Sequence, residues 1–378
     1  MFKSVLILLK YIMGTIISLA LLIIILGYLF ISLSPQFGGS PTKEDKAEYG
    51  KLSYYEEGKF SNLISTDMSM DFVKGLKLLP EFFRDAPERK PDFEIPVNEV
   101  DSLDLVMASA KDRLVWFGHS AFLLQLDGKN ILIDPMLGKV PSPIPILGNP
   151  RYSEQLPIEI EQLPEIDLII ISHDHYDHLD YGSISKLKEK TKKYFVPLGV
   201  GAHFKKWGIP DEKIHEFEWW EEKDFEQIEF IFAPARHFSG RGIGDRFATL
   251  WGSWIIQNKT RKLYFSGDGG YGPHFKEIGD KYGPFDFAML ECGQYNERWK
   301  DIHMSPEETA MAGLDLEAKV GMPIHWGAFT LALHSWTDPV VRVSKKAEEL
   351  GLPLSIPEIG EFIYLDNIDT RNNPWWEN

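Results

Sequence analysis

Ile169-Ile-Ile-Ser-His-Asp-His-Tyr-Asp-His-Leu-Asp180 is the stretch on which the reading of this chain turns. Its apolar lead-in, Leu168 to Ile171, is too short to stand as a helix and fits a buried strand that carries Ser172 and its followers to a sheet edge. Side chains two apart share a side of an extended segment, so His173 and His175 point the same way, and Asp177 and His178 follow as the chain turns off. Three His and three Asp crowd into eight residues of a chain with 11 His in all. Imidazole and carboxylate suit zinc, and oxygen-richer sets also take manganese or iron. One run of this composition can face two adjacent ions.

A binuclear site needs further ligands, and these are expected just after other strands. His237 follows Phe230-Ile-Phe-Ala-Pro-Ala-Arg236, Asp268 follows Leu263-Tyr-Phe-Ser-Gly267, and His325 follows Val320-Gly-Met-Pro-Ile324. Asp268 stands between glycines, where a carboxylate comes close to backbone and metals with little hindrance, so a bridging role suits it. Cys292 is the only cysteine, which leaves histidine and aspartate to supply any metal site and excludes an intramolecular disulfide.

Around these residues, short apolar runs alternate with Gly, Pro, Asp or His. Leu114 to Phe117, Phe122 to Leu126 and Ile131 to Ile133 read as consecutive strands with a hairpin turn at Asp127-Gly128. Leu168 to Ile171, Phe230 to Phe232, Leu263 to Phe265, Ala288 to Leu290 and Val320 to Ile324 read as later strands, with helices at Ser183 to Thr191 and Pro306 to Leu314. The pattern is that of a mixed α/β domain on two sheets, covering 111–378, without a fixed-period repeat. The proline-rich loop Pro141 to Pro150 suits either a cover over an active site or a rigid surface connection.

The N-terminus is of another kind. Ile12 to Leu33 carries no charge, and as a helix it spans the roughly 30 Å hydrocarbon layer, so 1–33 is expected to be an uncleaved single-pass membrane anchor. The basic residues Lys3 and Lys10 before it and Lys43, Lys46 and Lys51 after it set no clear orientation; the short leading segment favours a catalytic domain on the non-cytoplasmic side. Residues 34–51 read as an extended linker, and 52–110 as an N-terminal extension with an amphipathic helix built on Phe72, Val73, Leu76, Leu79, Phe82 and Phe83. The net charge of −16 and the lack of a Lys/Arg tract argue against nucleic acid as a partner. Oligomeric state is not legible.

With these residues in place, the chain resembles the metallo-β-lactamase superfamily, whose H-x-H-x-D-H signature is matched by His173, His175, Asp177 and His178. Within it, the chain looks most like the N-acylphosphatidylethanolamine-hydrolysing phospholipase D group, a relative of the ascorbate-6-phosphate lactonases. The marks, spread over Val115 to Leu365, include Trp116-Phe-Gly-His119, Ile133-Asp-Pro135, Trp219-Trp-Glu-Glu222, Trp251-Gly-Ser-Trp254, Phe265-Ser-Gly-Asp-Gly-Gly-Tyr271 and His325-Trp-Gly-Ala-Phe329.

The resemblance implies an αββα sandwich with two zinc ions at one edge, manganese or iron being the other metals admitted. It places His173, His175 and His237 on one ion, Asp177, His178 and His325 on the other, Asp268 between them, and Asp134 and His119 behind the ligands. The implied activity is a zinc-dependent phosphodiesterase that cleaves an N-acylphosphatidylethanolamine of the lipid bilayer to phosphatidic acid and an N-acylethanolamine, through water activated between the ions. Asp177 would orient that water, and His303 would contact the phosphate or protonate the leaving group. Ile302 stands where the mammalian enzymes carry glutamine, so the phosphate contacts differ in detail. His334 and Tyr295 are expected to line the same cleft. The alternative is a metal-dependent lactonase or esterase with the same site; a non-catalytic module would be expected to lack a ligand, and every expected one is present.

Overall fold

Alternation along the strands explains how the layers stack. The structure, a computed structural model, describes residues 2–67, 80–81, 84, 86–107, 111–144, 146 and 148–377. A short hairpin of β1 (Tyr55–Glu56) and β2 (Lys59–Phe60) precedes two mixed sheets. The first contains β3 (Arg113–Trp116), β4 (Phe122–Leu126), β5 (Lys129–Ile133), β6 (Ile166–Ile170), β7 (Thr191–Pro197) and β8 (Ile214–Phe217). The second contains β9 (Glu222–Phe225), β10 (Ile228–Ala233), β11 (Ser253–Gln257), β12 (Lys262–Phe265), β13 (Phe287–Glu291) and β14 (Gly321–Ile324). The last strand, β15 (Phe362–Tyr364), returns to the first sheet, giving the orders β15-β3-β4-β5-β6-β7-β8 and β14-β13-β12-β11-β10-β9.

In β4, Phe122, Leu124 and Leu126 enter the core shared by both sheets, whereas Leu123 faces outward. In β10, Ile228, Phe230 and Phe232 meet that core from the other side, and Ile231 and Ala233 face away. A period of two thus gives each sheet two apolar faces. Ile184, Leu187 and Phe204 cover the outer face of the first sheet from the helices Tyr181–Leu187 and Gly201–Lys206. Phe275, Ile278 and Ala312 cover the second from His274–Tyr282 and Pro306–Asp315. The result is the expected helix, sheet, sheet, helix sandwich. Truncating one fully buried aromatic of its core, such as Phe230, costs about 3–5 kcal/mol.

Several elements differ from the sequence reading. The helix expected over Ser183 to Thr191 stops at Leu187, and Thr191 already opens β7, whose exposed Lys192 and Lys193 hide its strand character. Edge strand β9 is polar and shows no apolar run, and the helix Asp338–Leu350 adds to the two helices read between strands in the sequence. The stretch read as an extended linker is packed instead: Pro35–Phe37 forms a 3-10 turn, and Lys43–Tyr49 is a helix with a Thr42/Asp45 capping box and a buried Tyr49. The expected amphipathic helix of Phe72 to Phe83 lies outside the described residues. Among the described residues one helix, Phe2–Leu33, is long and apolar enough to cross a membrane, with mean hydropathy 2.8 over its most apolar 18 residues within Ser4–Leu33.

Candidate metal centre

Strand ends from both sheets converge on one edge. β6 runs into Ser172 and His173, β5 into Asp134, β10 into His237, β12 into Asp268 and β14 into His325. Close approach there requires glycine at one point. Gly267 has φ +56°, and a Cβ on it would lie 2.7 Å from the Ser172 Cβ, so a side chain would push the Asp268 strand away from the His173 strand. Three residues at this edge, His119, Asp134 and His325, hold positive φ without being glycine. Backbone held there costs about 1–3 kcal/mol per residue. For His119 and His325 a two-way bridge maintains it, His119 N donating to Trp326 O and His325 N to His119 O, each at 3.0 Å.

Among the described residues, four overlapping groups of side chains bring their ligand atoms inside 4.8 Å of one another, and two of them hold the expected ligands. In the first, His173 Nε2 is 2.9 Å from His175 Nδ1, which is 3.2 Å from His237 Nε2, and Asp268 Oδ2 lies 3.8 Å from both His173 and His237. A ring N–H on one of these nitrogens can hydrogen-bond the next; with all three deprotonated, their lone pairs and the Asp268 oxygen surround one point. In the second, Asp177 Oδ2 lies 3.7 Å from His178 Nε2 and 3.9 Å from His325 Nε2. Asp268 Oδ1 lies 3.1 Å from both His178 Nε2 and His325 Nδ1, so its two oxygens face the two groups. His119 joins the second group through Asp177, its Nε2 standing 2.9 Å from Asp177 Oδ2.

Ring orientations show which nitrogens are available. His178 Nδ1 lies 2.7 Å from Asp134 Oδ2, and His237 Nδ1 lies 2.9 Å from Ile302 O, which leaves Nε2 of each for the centre. His178 Nε2 and Asp268 Oδ1, 3.1 Å apart, are buried and make no hydrogen bond of good geometry among the described residues. Such orphans are rare unless something is bound there, and a divalent ion on each group would satisfy them. The donors therefore fit two metal ions with nitrogen and oxygen ligands.

Electrostatics agree for the three histidines of the first group. Burial, reinforced by neighbouring imidazoles, holds His173 and His237 well below the usual histidine range, and burial brings His175 to about 4. These rings are neutral donors. Burial also raises Asp268 to about 7 and opposes the charge of His178, yet Asp268, Asp177 and Asp134 together push His178 well above its ordinary value. In Asp177, burial is outweighed by His178 and His119, which hold it well below the carboxylate range.

Other supports were invisible in the motif. Asp174, between two ligands, accepts from Gly240 N at 2.8 Å and Thr249 Oγ1 at 2.8 Å and lies 3.1 Å from His203 Nε2. Asn62 holds the backbone of His237 by both its N–H, at 3.1 Å, and its carbonyl, at 2.8 Å. Glu291, fully buried at the end of β13, pairs with His303 Nδ1 and accepts from Gly269 N at 2.8 Å. Glu291 closes the apolar run Ala288 to Leu290 as Asp268 closes its own, and so carries the same signal in the sequence.

The centre opens on a cavity of about 500 Å³ whose wall includes His303, Phe238, Arg246, Trp299 and Leu331. One expectation fails there, and the 141–150 loop follows the surface-connection reading. His334 and Tyr295 stack on each other at 4.4 Å and do not line this cavity, because Tyr295 is drawn to Asp338 and Arg342. None of the described residues of the 141–150 loop lines it either; Asn149 ties that loop to Thr330 instead.

Comparison with known proteins agrees with this architecture. An uncharacterized protein of Mycobacterium tuberculosis is 38% identical over 85% of this chain and 87% of its own length. The N-acyl-phosphatidylethanolamine-hydrolyzing phospholipase D 1 of Caenorhabditis elegans is 33% identical over 64% of this chain and 70% of its own. Among solved structures, an isothiocyanate hydrolase from Delia radicum gut bacteria covers 66% of this chain and 97% of its own, with a TM-score of 0.53 at 21% identity, which speaks for the fold alone. Residues 129–326 match the family described as the β-lactamase superfamily domain, and with a metallo-β-lactamase fold and a His/Asp centre suited to divalent ions this chain belongs to that superfamily of metal-dependent hydrolases.

Proposed function

We propose that this protein is a zinc-dependent phosphodiesterase that cleaves N-acylphosphatidylethanolamine-type phospholipids to phosphatidic acid and an N-acylethanolamine. The observation that carries this reading is one wall residue. Arg246 faces the cavity with its guanidinium carbon 4.5 Å from the Phe238 ring centre and 5.4 Å from that of Phe247, and it makes no hydrogen bond or ion pair with any described residue. Its Nε is buried without a partner. A guanidinium held on aromatic faces beside a metal centre suits an anionic phosphodiester better than a neutral lactone. The phospholipase name of the C. elegans relative and the apolar Phe2–Leu33 helix support a membrane lipid.

Two bound ions would supply a hydroxide near neutral pH and offset charge on the phosphoryl oxygens. The remaining work falls to side chains. Asp177, positioned by His119, accepts a hydrogen bond from the attacking water and so orients it. Oxygen joins phosphorus, the bond from phosphorus to the ethanolamine oxygen breaks, and the departing alkoxide takes the Nε2 proton of His303 as Nδ1 receives the proton that burial keeps on Glu291. Glu291 fixes the His303 ring through Nδ1, leaving Nε2 as the nitrogen without a partner among the described residues. Phe238, Trp299 and Leu331 offer apolar surface to acyl chains.

Incubation of purified, zinc-loaded protein with the lipid should release both products, and Asp268→Ala should release neither. Release of no product by protein with two bound ions, alongside turnover of a neutral lactone, would replace this reading with the lactonase one.

A further inference from the structure

The apolar helix does not end in a loose tether. Its last turn carries Phe30, whose ring meets Phe37 edge-on at 5.6 Å, and Phe37 meets Tyr176 edge-on at 6.4 Å. Tyr176 stands between His175 and Asp177. Two ring contacts thus join the helix to the metal-ligand loop.

The intervening turn is fastened on both sides. Trp207 Nε1 donates to Pro35 O at 2.8 Å, and the buried Arg241 donates to Gln36 O through Nε at 3.0 Å and Nη2 at 2.7 Å. The same guanidinium donates from Nη1 to the carbonyls of Asp174, inside the signature, and Leu179, just after it. Gly38 has φ +67°, and a Cβ there would lie 2.1 Å from His203 Nδ1, so the strap lies flat on the histidine that contacts Asp174. Fixed contacts of this density leave no room for the swivelling that a flexible linker permits.

Phe37 also decides what lies beside the helix exit. Gly242, part of the cavity wall, would bring a Cβ within 3.6 Å of the Phe37 ring. The next residue, Ile243, is 87% exposed between two glycines. An isolated apolar side chain at a loop tip, next to the point where an apolar helix leaves a bilayer, is placed to enter the interface.

We propose that the strap Ser34–Gly39 holds the catalytic domain in one orientation on the bilayer, with the cavity wall at the membrane surface and Ile243 inserted among the lipids. A phospholipid then reaches the centre without leaving the membrane. The inference rests on the membrane-anchor reading above and names the lipid surface itself as the partner of the Gly240–Phe247 loop.

Full-length protein in phosphatidylcholine/phosphatidylglycerol vesicles tests it. With Cys292 buried, Ile243→Cys carries an environment-sensitive fluorophore, and Lys259→Cys, at the far end of β11, serves as the control. Lipids bearing a shallow nitroxide should quench the label at 243 at least threefold more than that at 259; equal quenching would overturn the proposal. Replacing Pro35, Gln36 and Phe37 by Gly, Ser and Gly, or Phe37 by Ala alone should folding suffer, should slow hydrolysis of vesicle-embedded lipid at least tenfold. Hydrolysis of a short-chain monomeric phosphodiester should stay within twofold. Equal rates on vesicles for strap variant and parent would also overturn it. If the parent cleaves neither substrate, the substrate assignment fails, while the quenching still reports orientation.

Discussion

Asp134 Oδ2 stands 2.7 Å from Nδ1 of His178, and the same carboxylate accepts from Ser172 N at 2.7 Å and from Ser172 Oγ. One buried group therefore sets both the ring of a ligand and the strand end that delivers His173. Asp134→Asn keeps the shape but weakens acceptance at His178. Metal affinity at the second group should fall about 10–100-fold. Titration calorimetry against zinc would show one weakened and one near-normal site; two unchanged sites would remove this role.

Asp268 presents one oxygen to each group. Asp268→Asn should lower the bound metal from two ions per chain to one or fewer, read by elemental analysis after dialysis. Chelation of the parent should lower Tm, because ions that bind only the folded chain stabilise it by mass action, by about 4 kcal/mol at a thousand times Kd. An unchanged Tm on chelation would contradict a folded-state metal centre.

Glu291 reaches the chemistry through His303, whose Nδ1 it holds, and it also accepts from Gly269 N beside Asp268. Glu291→Gln should reduce kcat roughly tenfold with KM within threefold and move the pH profile. His303→Gln should cost about 10²–10⁴ in kcat. If Glu291→Gln changed KM alone, the positioning role would be wrong.

Arg246 should be felt in binding rather than in chemistry. A charge-assisted hydrogen bond contributes about 1.5–3 kcal/mol, so Arg246→Gln should raise KM for a phosphodiester about 10–100-fold and flatten its dependence on salt. The ratio of its KM values for anionic and neutral substrates is the quantity to measure; an unaltered ratio would exclude charge recognition.

His274 lies away from the centre, buried at the start of its helix, with burial bringing it to about 3. An unfolded histidine titrates near 6.5, so between roughly pH 6.5 and 3 the unfolded chain binds a proton that the folded chain refuses. Its contribution to stability is complete above that window and is lost as pH falls, at about 1.4 kcal/mol per unit. His274→Phe should make unfolding midpoints in urea less steeply dependent on pH between 6.5 and 4.5. The same slope in both proteins would refute it.

Read without a structure, the chain already declared its strand-borne ligands. His173, His175, Asp177 and His178 are neighbours in sequence, and His237, Asp268 and His325 each close a local apolar run, so a period of two and a position after the run suffice to find them. The apolar helix is equally local, because bilayer thickness translates directly into a count of residues. What tertiary structure decided are relationships between distant segments. Glu291 against His303, Asn62 against His237 and Asp174 against Thr249 require pairings that no periodicity encodes. Arg246 looks like any surface cation until the fold leaves it alone over Phe238. The strap at Pro35 to Gly38 reads as a linker because Pro and Gly mark both loose chain and tight turns. Only the carbonyls taken by Trp207 and Arg241 distinguish the two, and those partners lie far along the sequence.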